Sequence, residues 1–239
     1  MDNHQIRIRN FRSGIITGFI AFFILISYAQ TIFAQDLVYE ELRGDDKIYY
    51  HYWFEETPDG HHIKVARVFE GDTTDKHILV TGPDHQTLSW RYTRFGEHTD
   101  IYARLTPEGV HIKGYLDGDE IDELEELDED EPWIQLFPMN PGMDKFIFSD
   151  EDEIVFWSIG TESPADMEIN SFSAEKEDSG YHDEFGCEVI RINFSPTGWK
   201  SWFWDGDYFF RSDDARVMGY WGDGAPGKPS SKTTLIIEE

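Results

Sequence analysis

Cysteine is the scarcest residue in this chain, which has only Cys187 among its 239 residues. A single cysteine cannot form an intramolecular disulfide bond, so the folded state must be stabilised by its hydrophobic core. Cys187 lies close to Val189 in a segment with strand-like alternation. We expect it to be a small buried hydrophobic residue and not a nucleophile.

Basic residues are also scarce, because 20 lysines and arginines stand against 48 aspartates and glutamates, giving a formal net charge of -28. Binding to nucleic acid needs clustered lysine and arginine, so we exclude nucleic acid as a partner. An anionic membrane surface is disfavoured for the same reason, and we expect any membrane contact to be transient. We interpret the acidity as a source of solubility.

Catalytic signatures are absent as well, since the sequence contains no Gly-x-Ser-x-Gly, no His-Glu-x-x-His and no Cys/His cluster. We expect the nine histidines to lie exposed along strands, with the adjacent His61 and His62 on opposite faces of one strand. We therefore predict no catalytic residue, no metal site, no cofactor and no enzymatic activity. A carboxylate-dependent hydrolase is the least favoured alternative, because so many acidic residues make any pair uninformative.

The first 34 residues have the pattern of a secretory signal. Three arginines and one aspartate occupy residues 1–12, and no charged residue follows until after Ala34. The apolar block Ile15–Tyr28 is short of the roughly 20 residues that a membrane-spanning helix needs. We expect cleavage after Ala34, with cleavage after Ala29 or retention as an anchor as alternatives. Residues 35–239 then form a single exported domain, soluble in the periplasm or the extracellular medium.

The rest of the chain shows repeated period-two alternation, which is typical of β-strands. Thr99–Leu105 and Val110–Leu116 alternate on either side of Pro107-Glu108-Gly109, and this pattern predicts a hairpin. A second hairpin should join residues 47–56 to residues 62–70. Its first strand is aromatic on both faces, so we expect it to be central and covered on both sides.

Further strands are predicted at intervals along the chain, with almost no helix between them. They are residues 78–81, 87–95, 145–149, 153–159, 167–173, 188–194, 199–204, 208–211, 217–221 and 233–237. About a dozen short strands favour a mainly β fold, a single antiparallel meander that forms an unclosed half-barrel. A β-sandwich is the alternative.

An acidic run occupies residues 117–131, with eleven acidic residues and no base. Like charges would repel at every i to i+4 step of a helix, so we expect a solvated loop or an edge ribbon. The run does not match a calcium-binding loop, because Ile121 falls where a ligand oxygen is needed.

Aromatic residues are the most distinctive positive feature, and they include eight tryptophans. The simplest interpretation is that they fill the core of the sheet. The alternative is an apolar pocket or a stacking platform for a lipid or a sugar. The candidate ligand-binding residues are Trp133, Phe156, Trp157, Trp202, Trp204 and Phe209.

Several of these aromatic segments also carry a family resemblance. The segments at residues 132–135, 154–159, 202–204, 208–213, 222–227 and 235–237 together look like a group of uncharacterised exported bacterial β-proteins. That group resembles the lipoprotein-localisation factors of the bacterial envelope, and the resemblance covers roughly residues 40–238. It implies an unclosed antiparallel barrel whose hydrophobic cavity holds acyl chains, and it carries over no catalytic residue.

The sequence thus predicts a non-catalytic exported envelope protein that binds a lipid or another apolar or amphipathic ligand, or that acts as a scaffold. A secreted carbohydrate-binding β-sandwich is the main alternative. That alternative predicts that Trp199, Trp202 or Trp221 is exposed to water.

Overall fold

The computed structural model describes residues 33–57, 59–82, 86–127, 131–136, 143–160, 169–198, 205–222 and 229–238. These residues form fourteen strands and one four-residue helix, α1, which spans Asp144–Ile147 before β9. None of the described helices has the length and apolar character of a membrane span. The strands are β1 Phe33–Arg43, β2 Asp46–Thr57, β3 Gly60–Phe69, β4 Asp72–Thr81, β5 Thr87–Arg94, β6 Thr99–Thr106, β7 Gly109–Leu116, β8 Asp119–Glu125, β9 Glu153–Ile159, β10 Ile169–His182, β11 Cys187–Pro196, β12 Gly206–Arg211, β13 Val217–Gly222 and β14 Ser231–Glu238.

All fourteen strands belong to one antiparallel sheet with the order β8-β7-β6-β5-β4-β3-β2-β1-β14-β13-β12-β11-β10-β9. The first strand lies in the middle of the sheet, because β1 pairs with β2 on one side and with β14 on the other. Within the described part of the chain, the two edge strands β8 and β9 do not pair with each other. The prediction of a mainly β, unclosed antiparallel meander is therefore confirmed.

The β6–β7 hairpin forms as its alternation predicts, with Thr106 opposite Gly109 across the turn. Ile101 and Ala103 are buried, whereas Tyr102 between them is exposed. Gly109 has a φ of 133°, and a Cβ there would lie 2.1 Å from a backbone oxygen of β8. Only glycine fits this close approach between β7 and β8.

The prediction for β2 is correct in its position but wrong in its burial. The strand is central in the sheet, and Tyr50 and Tyr52 are buried on one face. On the other face His51 is exposed, and Trp53 is half-buried beneath Lys64. An antiparallel sheet can present one face to water, so aromatic residues on both faces do not require two covering layers.

The strand predicted at residues 145–149 is wrong, because α1 occupies most of it. Phe146 and Ile147 are adjacent in sequence and both are buried, which a strand allows only when both of its faces are covered. A short apolar run cannot be assigned to strand or helix by periodicity alone. The strand predicted at residues 199–204 lies outside the described residues.

We call the side of the sheet that carries the main core the inner face, and the opposite side the outer face. Strands from both halves of the sheet contribute large, fully buried side chains to the inner face. Among them are Trp90, Phe156, Phe194 and Phe210, and Trp133 joins them from the segment between β8 and α1. One continuous core therefore holds the two halves of the sheet together.

Residues 131–136, between β8 and α1, connect the two halves through backbone hydrogen bonds. The amide of Thr87 in β5 donates to the carbonyl of Trp133 at 2.8 Å. The amide of Ile134 donates to the carbonyl of Trp157 in β9 at 2.9 Å, so the segment pairs with an edge strand. This segment covers part of the β9 edge, which would otherwise present unpaired backbone groups.

The opposite edge is formed by the acidic strand β8, which covers Asp119–Glu125 of the acidic run. Its side chains are almost all exposed. Closely spaced charges on an edge strand oppose pairing with a second sheet, since like charges would be brought together. The acidic residues therefore have a structural use at this position.

Candidate functional site

Two of the predicted ligand-binding residues, Trp133 and Phe156, are fully buried in the inner core. The indole nitrogen of Trp133 donates to Oε1 of Gln135 at 3.3 Å. The ring centroid of Phe156 lies 5.9 Å from that of Phe172 and 6.0 Å from that of Phe194. Both residues thus have the environment of core residues.

The other predicted ligand-binding residues do not form a pocket with Trp133 and Phe156 in the described structure. Trp157 follows Phe156 along β9 and is half-buried, with an indole nitrogen that has no hydrogen-bond partner among the described residues. Phe209 lies in a separate cluster on the outer face, with Val189 and Met218. Trp202 and Trp204 lie outside the described residues. The structure therefore does not bring the described candidates into one pocket.

The cluster around Phe209 is built by the tip of the β10–β11 hairpin, which covers the outer face of β12 and β13. The ring of Trp221 lies 4.5 Å from Phe209 and 5.4 Å from His182, measured between centroids. Phe185 of the hairpin tip would collide with any Cβ at position 219, where its Cζ would be only 2.8 Å away. Glycine at position 219 therefore allows the hairpin tip to pack closely.

A groove of about 640 Å³ lies beside this cluster, where β11 to β14 and β1 meet on the sheet. Its lining includes the side chains of Asn193, Asp205, Asp207, Trp221, Ser231 and Lys232. The ammonium of Lys232 lies 4.7 Å from the centroid of the Trp221 ring and pairs with Glu184 at 2.7 Å. An indole next to carboxylate, amide and hydroxyl groups offers both stacking and hydrogen bonds to a ligand.

A second polar feature lies at one end of the inner face, around Asp75. Its carboxylate accepts hydrogen bonds from Thr74 at 2.7 Å, Arg67 at 3.0 Å, Tyr92 at 3.0 Å and Arg94 at 3.2 Å. Burial alone would raise the pKa of Asp75, but the hydrogen bonds from Thr74, Arg67 and Tyr92 outweigh burial and lower the pKa. The carboxylate is therefore held in its charged form.

His77 lies next to Asp75 on the inner side of β4 and is fully buried. The indole N–H of Trp90 donates to Nδ1 of His77 at 3.3 Å, and the imidazole stacks on Tyr92 at 4.8 Å. Burial lowers the pKa of His77 to about 3. The prediction that the histidines are exposed is wrong for His77 and for buried His61, although His62 faces the opposite side from His61 as predicted.

Glu41 of β1 is a further buried polar residue on the inner face. We call Glu41, Asp75 and the side chains that bond to them the polar row. Its Oε2 accepts a hydrogen bond from the hydroxyl of Tyr50 at 2.6 Å, and its Oε1 lies 2.8 Å from Arg43. Burial raises the pKa of Tyr50, so its hydroxyl stays protonated and donates. Among the described residues, no group of three or more His, Cys, Asp or Glu side chains has the geometry to hold a metal ion. The polar row has the character of an internal network that fixes the sheet.

The sequence gives little sign of this row or of the groove. Asp75, Arg67 and Arg94 are ordinary charged residues in their local patterns, and they become neighbours only through the register of β3, β4 and β5. Trp221 is the exception, because the sequence already identifies it as a tryptophan that a carbohydrate-binding surface would expose.

The fold is similar to that of a solved structure, a β-barrel-like protein of the domain of unknown function DUF1849 from Brucella abortus. The TM-score is 0.59 at 10% sequence identity, and the match covers 86% of this chain and 97% of that chain. At this identity the similarity concerns the fold alone. No protein-family model and no curated protein matches the sequence.

Proposed function

We propose that this chain is a non-catalytic exported protein of the bacterial cell envelope, and that its half-barrel acts as a scaffold. The observation that carries this proposal is the close packing of the described side chains on the inner face. Trp90, Phe156 and Phe194 have no exposed surface and come from strands in both halves of the sheet. In a carrier of acyl chains, like the lipoprotein-localisation factors that the sequence resembles, cargo occupies the corresponding space. Packed side chains here favour a scaffold over a carrier.

The compartment is proposed from residues 1–34, whose basic start and uncharged apolar block fit export and cleavage. The product would be soluble in the periplasm or the medium. Loss of residues 1–34 removes three arginines and one aspartate, so the net charge changes from -28 to -28 - 3 + 1 = -30, which favours solubility.

Uptake of an apolar dye tests the scaffold proposal against carriage of a lipid or other amphipathic ligand. We expect no saturable dye binding by the native protein, because the inner face is packed. A Phe156→Ala variant with benzene as the probe serves as a positive control, since the change opens a benzene-sized cavity next to Phe172 and Phe194. Stoichiometric dye uptake by the native protein that a fatty acid displaces would contradict the scaffold proposal.

A second function, binding of a carbohydrate, is favoured by the groove beside Trp221. Sugar hydroxyls could bond to Asp205 and Ser231 while a ring face packs on the indole. Calorimetric titration with soluble fragments of envelope glycans tests it. Asp205→Asn should weaken binding, whereas Asp72→Asn, on an exposed carboxylate at the start of β4 and outside the groove, should not. Equal affinity in all three proteins would argue against the groove.

A further inference from the structure

Basic side chains are concentrated on one part of the outer face, across β3 to β7. One row of residues crosses these five strands, each residue lying directly opposite the next on the neighbouring strand. The row consists of Lys64, Ile78, Arg91, Tyr102 and Lys113. Bases on β3, β5 and β7 thus alternate with apolar or aromatic residues on β4 and β6. These residues are 11 or more positions apart in the sequence, and the meander makes them neighbours.

On the same face, the next row on one side contains Lys76 and the next row on the other side contains Arg104. We call these five bases the basic face: Lys64, Lys76, Arg91, Arg104 and Lys113. In the three rows across these five strands, Asp100 is the one acidic residue. The chain as a whole has 20 bases and 48 acids, so the charge of this face is opposite in sign to that of the protein. Such segregation is the electrostatic mark of an interaction surface.

Three of these bases are not neutralised by any described carboxylate, and the ammonium groups of Lys64 and Lys76 lie over the rings of Trp53 and Phe95. Lys64, Lys76 and Arg104 form no ion pair with any described residue. The other two are partly neutralised, since Arg91 pairs with Asp100 at 2.6 Å and Lys113 pairs with its neighbour in β8 at 3.1 Å. The uncompensated charge lies on β3, β4 and β6, away from the acidic edge.

Exposed apolar surface lies between the bases. Ile78, Tyr102 and Tyr115 are each about half exposed, at 45%, 46% and 52%. Tyrosine beside lysine or arginine is typical of surfaces that sit at a membrane interface, because the ring and the cation both suit the head-group region.

The shape of the face distinguishes between anionic partners. Neighbouring strands are about 4.8 Å apart and alternate residues about 7 Å apart, so the bases spread over roughly 20 by 14 Å. A linear acidic chain would follow a stripe or a groove, whereas these bases cover an area in two dimensions. We propose that the basic face docks on a lipid surface that contains anionic phospholipid head groups.

The net charge of the protein does not oppose this contact. At physiological ionic strength the Debye length is about 8 Å, so most of the acidic residues are screened from a surface that touches β3 to β6. Each base that reaches an anionic surface strengthens partitioning about fivefold. Contact through this face depends on local charge, which the total of -28 does not describe.

Sedimentation with vesicles tests the proposal, using purified protein in the form that the cell accumulates. The vesicles are phosphatidylcholine alone or phosphatidylcholine with phosphatidylglycerol. We expect binding only to the second kind, with about a hundredfold loss in the Lys64→Gln/Lys76→Gln/Arg104→Gln variant. The matched control Lys47→Gln/Lys145→Gln/Lys176→Gln removes the same charge from other parts of the protein, and its binding should be unchanged.

Three outcomes would overturn the proposal. The native protein could fail to bind anionic vesicles, or the two triple variants could lose binding equally, which would mean that only total charge matters. The native protein could also bind polyglutamate and not vesicles, which would assign the face to an acidic polypeptide. The assay uses purified protein, so its result does not depend on whether export or the scaffold role is correct.

Discussion

His77 should make the protein less stable as the pH falls from 7 to 5. The pKa of His77 is lowered from 6.5 to about 3 by burial, so the folded state keeps the imidazole neutral over this range. The unfolded chain takes up a proton near pH 6.5 and is therefore favoured as the pH falls. A depressed pKa of a base thus gives stability that is present above pH 6.5 and is lost between about pH 6.5 and pH 3.

The magnitude follows from the two pKa values. One proton bound only by the unfolded state changes the free energy of unfolding by about 1.4 kcal/mol per pH unit, so the loss from pH 7 to pH 5 is about 2 kcal/mol. Carboxylates contribute little in this window, because Asp75 and the other shifted carboxylates titrate below their ordinary values near 4. The window from pH 7 to pH 5 therefore isolates histidine.

Urea denaturation followed by tryptophan fluorescence measures the effect at both pH values. His77→Gln keeps an acceptor for the indole of Trp90 but cannot be protonated, so its stability should change much less between pH 7 and pH 5. His62→Gln is the control, because His62 is exposed on the outer face and its removal should leave the native pH dependence intact. A His77→Gln protein that loses as much stability as the native protein would refute the assignment of the effect to His77.

Three other perturbations test the rest of the structure. Asp75→Asn should lower the free energy of unfolding by about 3 kcal/mol, because it removes the carboxylate that pairs with partly buried Arg67 and one of the two that pair with Arg94. Asp100→Asn, in an exposed pair, should lower it by less than about 1 kcal/mol. Equal losses by urea denaturation would contradict the buried network. Phe156→Ala should lower the free energy of unfolding by about 3 to 5 kcal/mol, because it opens a cavity in the core. A change of less than about 0.5 kcal/mol would show that Phe156 is not a core residue. N-terminal sequencing of the purified protein should begin near Gln35, and a membrane-bound protein that retains Met1 would exclude cleavage.

Local patterns in the sequence were sufficient for much of the fold. The β6–β7 hairpin follows from strict alternation on both sides of Gly109, which needs no knowledge of distant residues. The strand β1 was not predicted, because Glu41 occupies an inward position and interrupts its apolar alternation. One of its two partners in the sheet, β14, lies nearly 200 residues away, and no local signal specifies that pairing.

The candidate site was less accessible from sequence, for a related reason. Aromatic residues are the natural candidates for ligand binding, yet Trp133 and Phe156 are also the natural candidates for a core, and residue type alone does not separate the two roles. Charged residues are expected on the surface, so Asp75 gave no indication that it faces inward among tyrosine and arginine side chains. Burial, which decides between these roles, depends on the register of the strands.

Net charge shows the same dependence on register. A total of -28 describes the field far from the protein, where all residues contribute together. A partner in contact responds to the side chains within about one Debye length, and on the outer face of β3 to β6 these include Lys64, Lys76 and Arg104. These bases are spaced along 41 residues of sequence that also contain acidic residues, and the alternation of the strands turns the bases to one face. An acidic protein can therefore carry a surface for an anionic partner, and composition excludes such a partner only where the charges are evenly spread.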